Sequence, residues 1–461
     1  MNETKEKAGV YLAKEPIGKL LFKFSFPCVL SMLVGALYNI VDQIFIGQSV
    51  GYLGNAATNV VYPFTVLALA IALLIGDGTA AQLSISLGSG ARETSHKCVG
   101  NGILVTCIVG IILMFIGLIF TDEILKIFGV TEGSYKYTWD YMYIILYGIP
   151  FFIFTSSMNA VIRADGSPKY SMFAAMIGAV INLILDPVAI FVFNMGVKGA
   201  ALATIIGQIT SCIVTILYFK NLRSCKFTKE SFKPVGNIIR RTCQLGISSF
   251  ITQASIVFII STVNNMIGIH GAVSKYGTDI PLSVIGIVMK VFGIVIAFSV
   301  GIAVGGQPIT GYNYGAKNYG RVRKTYRLVI FSNIAVGLIA MLIFEFCPHI
   351  IVKLFGSESD LYNEYANMCF RIYLSGILLC CMQKASSIFL QSIGKPVKAT
   401  ILSLSRDMGF LIPSLIILSY NFGISGMLWA APIADVLAFF LAVIMISGEY
   451  KTLRILERTN I

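Results

Sequence analysis

Twelve apolar segments follow one another along this chain, and each is long enough to cross a lipid bilayer as a helix. A spanning helix needs roughly 20 predominantly apolar residues, because the hydrocarbon core is about 30 Å thick. The segments cover residues 17–47, 53–87, 98–120, 136–162, 170–193, 199–219, 243–268, 280–311, 326–346, 361–391, 398–420 and 424–447. Since 56% of the 461 residues are apolar and 12% are charged, the sequence predicts an all-α polytopic membrane protein.

Lysine and arginine residues lie mostly in alternate loops, and this distribution predicts the orientation. Basic clusters precede the first segment and follow every second segment, the longest of them between residues 220 and 241. Cytoplasmic loops carry an excess of Lys and Arg, so both termini are predicted to be cytoplasmic, which requires an even number of spans. These loops account for the net charge of +13, and nucleic-acid binding is not expected.

The second half of the chain repeats motifs of the first half at an offset of about 227 residues, a period typical of homologous transporter halves rather than of a solenoid. The matching segments are 78–82 with 304–307, 128–129 with 355–356, 166–169 with 394–396, and 196–199 with 423–426. The repeat predicts two homologous six-helix bundles. A polar, basic segment between them predicts an N-terminal lobe at 1–220, a cytoplasmic linker at 221–239 and a C-terminal lobe at 240–461.

Asp186 lies inside the otherwise uncharged run 172–193. A carboxylate in mid-membrane costs roughly 2.5–3.5 kcal/mol on insertion scales, so it usually has a functional role. Asn182 lies one helical turn earlier on the same face, and Pro187 has no N–H to bond the carbonyl of Leu183. Three oxygen-bearing groups suited to a proton or small cation are therefore expected together. The alternative is a structural kink with a permanently neutral aspartate.

Asp42 is a second acid within the N-terminal lobe, at a depth similar to that of Asp186. The repeat aligns Asp42 near Asn264, and it aligns the Asn182–Asp186 pair with 408–414, where the proline recurs without a carboxylate. If the two acids meet, they cannot both ionise cheaply, and at least one should hold a proton near neutral pH. The alternative is that Asp42 and Asp186 face different neighbours and do not meet.

Other polar residues within the spans are further candidates for ion or metal binding. Arg406 beside Asp407 is more consistent with a structural pair at a helix end, whereas Asp435 is a candidate for a second cation site. Lys290 could pair with one of the acids, but spacing does not identify which. The three His residues are scattered and the ten Cys residues form no C-x-x-C pair, so neither a metal site nor a disulfide framework is predicted.

Aromatic and methionine residues at helical spacing are candidates for the wall of a cavity. Such side chains suit flat organic cations through cation–π contacts and adaptable packing, although the same pattern is also typical of an ordinary core. The candidates for this wall are Tyr38, Tyr141, Met266, Met289 and Phe292.

Several motifs resemble those of the multidrug and toxic compound extrusion (MATE) family. The segment 307–316, with the sequence QPITGYNYGA, is similar to a signature of that family, as are 163–169, 182–187 and 199–204. The similarity covers the whole chain and indicates the DinF/MepA-type bacterial branch, which keeps its acids in the N-terminal lobe. The acids of the C-terminal cation site of the NorM-type branch have no counterpart on the seventh and tenth segments.

The resemblance implies a fold with a V-shaped central cavity and a cation antiporter that alternates between outward-open and inward-open states. By this likeness Asp42, Asn182, Asp186 and Thr204 would form the coupling site, with Tyr141 and Asn159 nearby. The implied protein needs no cofactor and exports amphipathic, often cationic compounds across a bacterial cytoplasmic membrane. It would act as a monomer, in exchange for protons or sodium ions.

Two rival functions follow from the same residues. A lipid-linked oligosaccharide flippase of related architecture would be expected to line its cavity with cations, whereas the N-terminal lobe offers acids. A membrane-embedded enzyme would use Asp42 and Asp186 as an aspartyl protease dyad. The chain lacks G-x-G-D and H-E-x-x-H motifs, so an enzyme is not expected.

Overall fold

The computed structural model describes residues 11–220, 222–224, 228–355 and 359–459, without the side chains of four of them. Residues 221 and 225–227 of the predicted linker lie outside the described part. Within the described residues the fold is entirely helical. Ten helices are long and apolar enough to cross a membrane, and the bent pair Asp360–Tyr373 and Ile377–Ser392 makes an eleventh span. Gly423, with φ 62° and ψ −149°, divides the 64-residue segment Pro396–Thr459 into two, which gives the twelve spans predicted from the sequence.

The helices of the N-terminal bundle are α1 (Ile17–Val50), α2 (Tyr52–Gly88), α3 (Arg92–Ile119), α4 (Tyr135–Ala164), α5 (Pro168–Pro187, extended by a π-helical turn over Val188–Val192) and α6 (Val197–Phe219). The helices of the C-terminal bundle are α7 (Gly236–Gly271), α8 (Asp279–Gly315), α9 (Tyr319–Phe346), α10 (Asp360–Tyr373 and Ile377–Ser392), α11 (396–422, with a π-helical turn over Ser405–Leu411) and α12 (424–459). Short helices at Thr121–Ile127 and Pro348–Phe355 precede the fourth and tenth spans.

The outer surface of the bundles is apolar, as a lipid-facing surface requires. On α3, the exposed side chains Ile108, Ile112, Phe115 and Ile119 follow one another three or four residues apart, which places them on one face of the helix. An apolar stripe of this kind on a soluble protein would need a covering partner. The stripe therefore agrees with a helix whose outer face meets lipid.

The internal repeat also appears in the backbone. Positive φ angles occur at the matched positions Gly90 and Lys317, at Gly166 and Gly394, and at Gly196 and Gly423. The backbone turns between the spans therefore recur in the two bundles. At Lys317 the turn persists with a residue other than glycine, although a left-handed conformation costs L-residues about 1 kcal/mol.

Asp165 fixes the turn between α4 and α5 to the start of the linker. Its carboxylate accepts hydrogen bonds from Tyr218 Oη at 2.5 Å and from the backbone N–H groups of Arg223 and Ser224 at 2.9 and 2.8 Å. Burial raises the pKa of Asp165 above its ordinary value, against the opposing effect of the hydrogen bonds from Ser224 and Tyr218.

The two bundles meet where α2 packs along α7 and α1 packs along α8. The contacts are close because glycines face backbone atoms of the other bundle. A Cβ added to Gly246 would lie 1.7 Å from the carbonyl oxygen of Leu74, and one added to Gly78 would lie 2.1 Å from that of Thr242. All of these contacts lie in the half of the molecule that carries the chain termini.

Candidate transport site

A central cavity of about 780 Å³ lies between the two bundles, in the middle of the helices. Five helices of each bundle line it, all except α3 and α9. Cavities of this size suit drug-sized ligands, especially where a mostly apolar wall carries a few polar groups. The glycine contacts between α2 and α7 close the cavity on the side of the chain termini.

The structure brings Asp42 and Asp186 together in the N-terminal bundle. Both are buried, with 8% and 1% of their surface exposed, and their carboxyl groups lie close enough to interact with each other. Two ionised carboxylates this close would repel each other, so the pair is suited to holding a proton or a small cation. The alternative in which the two acids face different neighbours does not occur in this structure.

Asn182 connects the buried acids to the cavity. Its Nδ2 donates hydrogen bonds to Asp186 Oδ1 at 3.1 Å and to Thr204 Oγ1 at 3.2 Å. Asn182 and Thr204 line the cavity wall, while the two acids lie behind them. The i,i+4 spacing on α5 thus places Asn182 and Asp186 as the sequence predicted, and α6 supplies Thr204.

Three oxygens of this group receive no hydrogen bond from an N–H or O–H donor in the described part of the chain. They are Asp42 Oδ1, Asp186 Oδ2 and Asn182 Oδ1, and all three are buried. A buried acceptor without a donor costs roughly 1–3 kcal/mol. Protons and small cations are the species that such a group of oxygens can stabilise.

The other predicted site residues fall into two groups. Tyr38, Asn159, Met289 and Phe292 line the cavity. Tyr141 and Met266 do not line it; both are buried, in the cores of the N-terminal and C-terminal bundles respectively. Tyr141 nevertheless lies close enough to Asp42 to interact with it electrostatically.

A second polar group lies in the cavity wall of the C-terminal bundle. Arg406 donates through Nε to Asp435 Oδ1 at 2.9 Å and through Nη1 to Asp407 Oδ1 at 2.7 Å. Lys384 Nζ lies 3.5 Å from Asp407 Oδ2. All four residues line the cavity. Asp435, the candidate for a second cation site, therefore already has a cation of the protein as its partner.

Two sequence-based expectations about charged residues change. Arg406 and Asp407 do form a pair, but it lies inside α11 rather than at a helix end. Both residues belong to the π-helical turn over Ser405–Leu411, and both line the cavity. Lys290 is exposed on α8 and forms no ion pair with any described residue. Lys384 was not predicted as a site residue, although a lone lysine within the predicted span 361–391 is a functional candidate by its intramembrane charge alone.

Asp77 links the two bundles at the closed end of the cavity. It accepts a hydrogen bond from Ser249 on α7 at 2.8 Å, and Arg163 lies 3.9 Å from its other oxygen. Ser249 in turn accepts a hydrogen bond from Gln391 on α10 at 3.0 Å. The contact between the bundles is therefore polar as well as close-packed.

The MatE family model matches residues 27–188 and 254–413, one segment in each bundle. This chain belongs to the MatE family. Two similar curated relatives are each named multidrug export protein MepA. The one from Staphylococcus haemolyticus (strain JCSC1435) is 27% identical over 449 residues, and the one from Staphylococcus aureus (strain MSSA476) is 26% identical over 445 residues. In both comparisons 96% of each chain is covered.

Solved structures of MatE-family and related transporters share the fold. A MOP superfamily transporter from Pyrococcus furiosus aligns with a TM-score of 0.89 at 21% identity, covering 97% of this chain and 98% of the other. An outward-facing multidrug resistance MATE family transporter aligns with a TM-score of 0.88 at 22% identity, again covering 97% and 98%. The relatives are transporters, and this chain is a transporter of the same family rather than an enzyme.

Proposed function

We propose that this protein is a secondary active multidrug efflux transporter, which exports amphipathic, often cationic compounds in exchange for protons or sodium ions. The observation that carries the proposal is the buried Asp42–Asp186 pair, which lies behind Asn182 and Thr204 in the cavity wall and in which one oxygen of each acid lacks a donor among the described residues. The relatives from Staphylococcus are named multidrug export proteins, which supports export of more than one compound.

The proposed mechanism is competition between the coupling cation and the substrate. Ionised Asp42 and Asp186 make the N-terminal wall electronegative and favour a cationic substrate. A proton or sodium ion that binds between the acids neutralises this wall and changes the packing of α1 near Pro27, which lowers the affinity for the substrate. The two lobes, joined by the linker at 221–239, then rock about the cavity, so that one site links both fluxes.

The direction of transport follows from the orientation of the chain. The positive-inside rule favours cytoplasmic termini for a monomer in the bacterial cytoplasmic membrane. The close contacts of Gly78 and Gly246 then seal the cytoplasmic side of the cavity. A cavity closed towards the cytoplasm is what the proposal expects of the state from which substrate leaves and the coupling cation enters.

The flippase alternative fits the charge of the cavity less well. A pyrophosphate-linked lipid would need a wall with excess positive charge. The cavity cations Lys384 and Arg406 are balanced by Asp407 and Asp435, and the opposite wall carries further acids.

Uptake of a fluorescent organic cation into everted membrane vesicles tests the proposal. A proton or a sodium gradient is imposed in separate experiments, with wild-type protein and with the variants Asp42→Asn and Asp186→Asn. We expect one gradient to drive uptake, and each variant to lower the initial rate roughly tenfold or more, because an amide cannot exchange a proton. Asp279→Asn, at an exposed position at the start of α8, is the matched control. Full gradient-driven uptake by Asp186→Asn would contradict the assignment.

A further inference from the structure

The C-terminal wall of the cavity carries charged side chains that the proposed coupling site does not use. They are Lys384, Arg406, Asp407 and Asp435, and together they have no net charge. Placing charges in a low-dielectric wall is costly unless each is paired and hydrogen-bonded. How well each of the four is paired therefore indicates which of them is available to a ligand.

Arg406 satisfies both acids. Its guanidinium bonds Asp435 at 2.9 Å and Asp407 at 2.7 Å, and it lies 5.8 Å from the centre of the Phe292 ring. Only 6% of the Arg406 side chain and 3% of each acid is exposed. The Arg406 guanidinium is held in place from several sides, and it has little capacity to bind a ligand as well.

Lys384 is held much less firmly. Its side chain is 12% exposed, the largest fraction among the four, and its Nζ lies at the long distance of 3.5 Å from Asp407 Oδ2. An ammonium group has three N–H donors, and in the described part of the chain this is its one hydrogen bond. Asp407 keeps its shorter bond to Arg406 if Lys384 turns to another acceptor.

We infer that Lys384 is an anion-accepting site in the cavity and that it binds the carboxylate of a zwitterionic, aromatic substrate. The inference rests on the proposed export function and adds a second charge to its substrate class. A carboxylate entering the cavity gains charge-assisted hydrogen bonds from Lys384 without leaving Asp407 unpaired. The substrate's cationic group faces the opposite wall, where Asn182 and Thr204 cover the acid pair, and Met289 and Phe292 contact its apolar body.

A pair of dyes that differ only at the carboxylate tests this site. Rhodamine 110 has a free carboxyl group, and rhodamine 123 is its methyl ester with the same cationic xanthene. Binding of each dye to the purified full-length protein is measured by fluorescence anisotropy. We expect the wild type to bind rhodamine 110 roughly tenfold more tightly than rhodamine 123, since a charged hydrogen bond is worth about that factor or more.

Lys384→Gln should remove this preference by weakening the binding of rhodamine 110 roughly tenfold, with about a twofold change or less for rhodamine 123. Lys384→Arg should restore the preference, because it keeps the charge. Lys290→Gln, which removes an intramembrane lysine outside the cavity, should leave it unchanged. A wild type without the preference, a preference that survives Lys384→Gln, or equal losses for both dyes would overturn the inference.

Gradient-driven uptake of the same dyes separates this inference from the proposed function. Binding that shows the Lys384-dependent preference, combined with no uptake under either gradient, would reject cation-coupled export and support the anion site. Uptake of both dyes at a ratio that Lys384→Gln does not change would support export and reject the anion site.

Discussion

At the scale of single residues, Asn182 and Thr204 separate the buried acids from the cavity, and the hydroxyl of Thr204 can be tested alone. Thr204→Val keeps the shape of the side chain and removes the acceptor of the 3.2 Å hydrogen bond from Asn182. A hydrogen bond of this kind contributes roughly 0.5–1.5 kcal/mol, so we expect the initial rate of gradient-driven uptake to fall about two- to tenfold. The measurement is dye uptake into everted vesicles, normalised to the amount of folded transporter.

Thr204→Ser is the matched control for this prediction, because it retains the hydroxyl group. Its uptake rate should stay close to that of the wild type. Equal rates for the valine and serine variants would show that the Asn182–Thr204 hydrogen bond does not contribute to transport.

The contacts within one helix could be predicted from the sequence, whereas the contacts between helices could not. The i,i+4 spacing of Asn182 and Asp186 fixes their relation as soon as α5 is a helix. Thr204 entered only through the resemblance to a family, since nothing in local spacing brings α6 beside α5. The pairing of Lys384 with Asp407 was missed for the same reason, because it joins α10 to α11 and depends on how those helices pack.

At the scale of helices, the spans and the turns between them were predicted from the sequence, and the bend in α10 was not. All twelve spans follow from apolar length, and the matched turns at Gly196 and Gly423 follow from the repeat. The 45° bend between the two parts of α10 was not predicted. No proline marks it, but Ser375 and Gly376 lie in the break, and a Gly/Ser pair is a recognised cause of sharp helix kinks. This signal was present in the sequence and was not used.

The close crossing of α2 and α7 depends on Gly246, so replacing this glycine tests how the two helices pack. In Gly246→Ala the new Cβ would lie 1.7 Å from the Leu74 carbonyl oxygen, so the helices must move apart where they now seal the cavity. Close-packed interfaces do not absorb such a change continuously. We expect uptake to fall roughly tenfold, and a cysteine introduced at Ser249 to react faster with a thiol reagent added from the cytoplasmic side.

Gly268→Ala is the control on the same helix, because no atom lies within 4 Å of the Cβ that it would add. It should leave both uptake and labelling near their wild-type values. If Gly246→Ala behaved in the same way as Gly268→Ala, the close contact between α2 and α7 would not be the seal of the cytoplasmic side.

At the scale of the whole molecule, the two bundles share one backbone plan and differ in the charges they place at the cavity. The N-terminal bundle has an acid pair in which one oxygen of each acid lacks a donor within the described part of the chain, and the C-terminal bundle has acids already paired with Arg406 and Lys384. The repeat supplies two lobes that can rock about an axis between them. In the proposed mechanism, this asymmetry in charge assigns cation coupling to the N-terminal lobe and leaves the C-terminal lobe for the substrate.

The proposed rocking of the lobes requires the contacts on the terminal side to open in every transport cycle. Thr242 Oγ1 on α7 donates a hydrogen bond to Gln82 Oε1 on α2 at 2.9 Å, so cysteines at these two positions can be joined by a short, reducible bifunctional thiol reagent. In a background with the ten native cysteines replaced, cross-linked protein should lose uptake and regain it on reduction. Each single-cysteine variant treated with the same reagent should stay active. Full uptake by quantitatively cross-linked protein would rule out opening of this interface and, with it, alternation of the cavity between the two sides of the membrane.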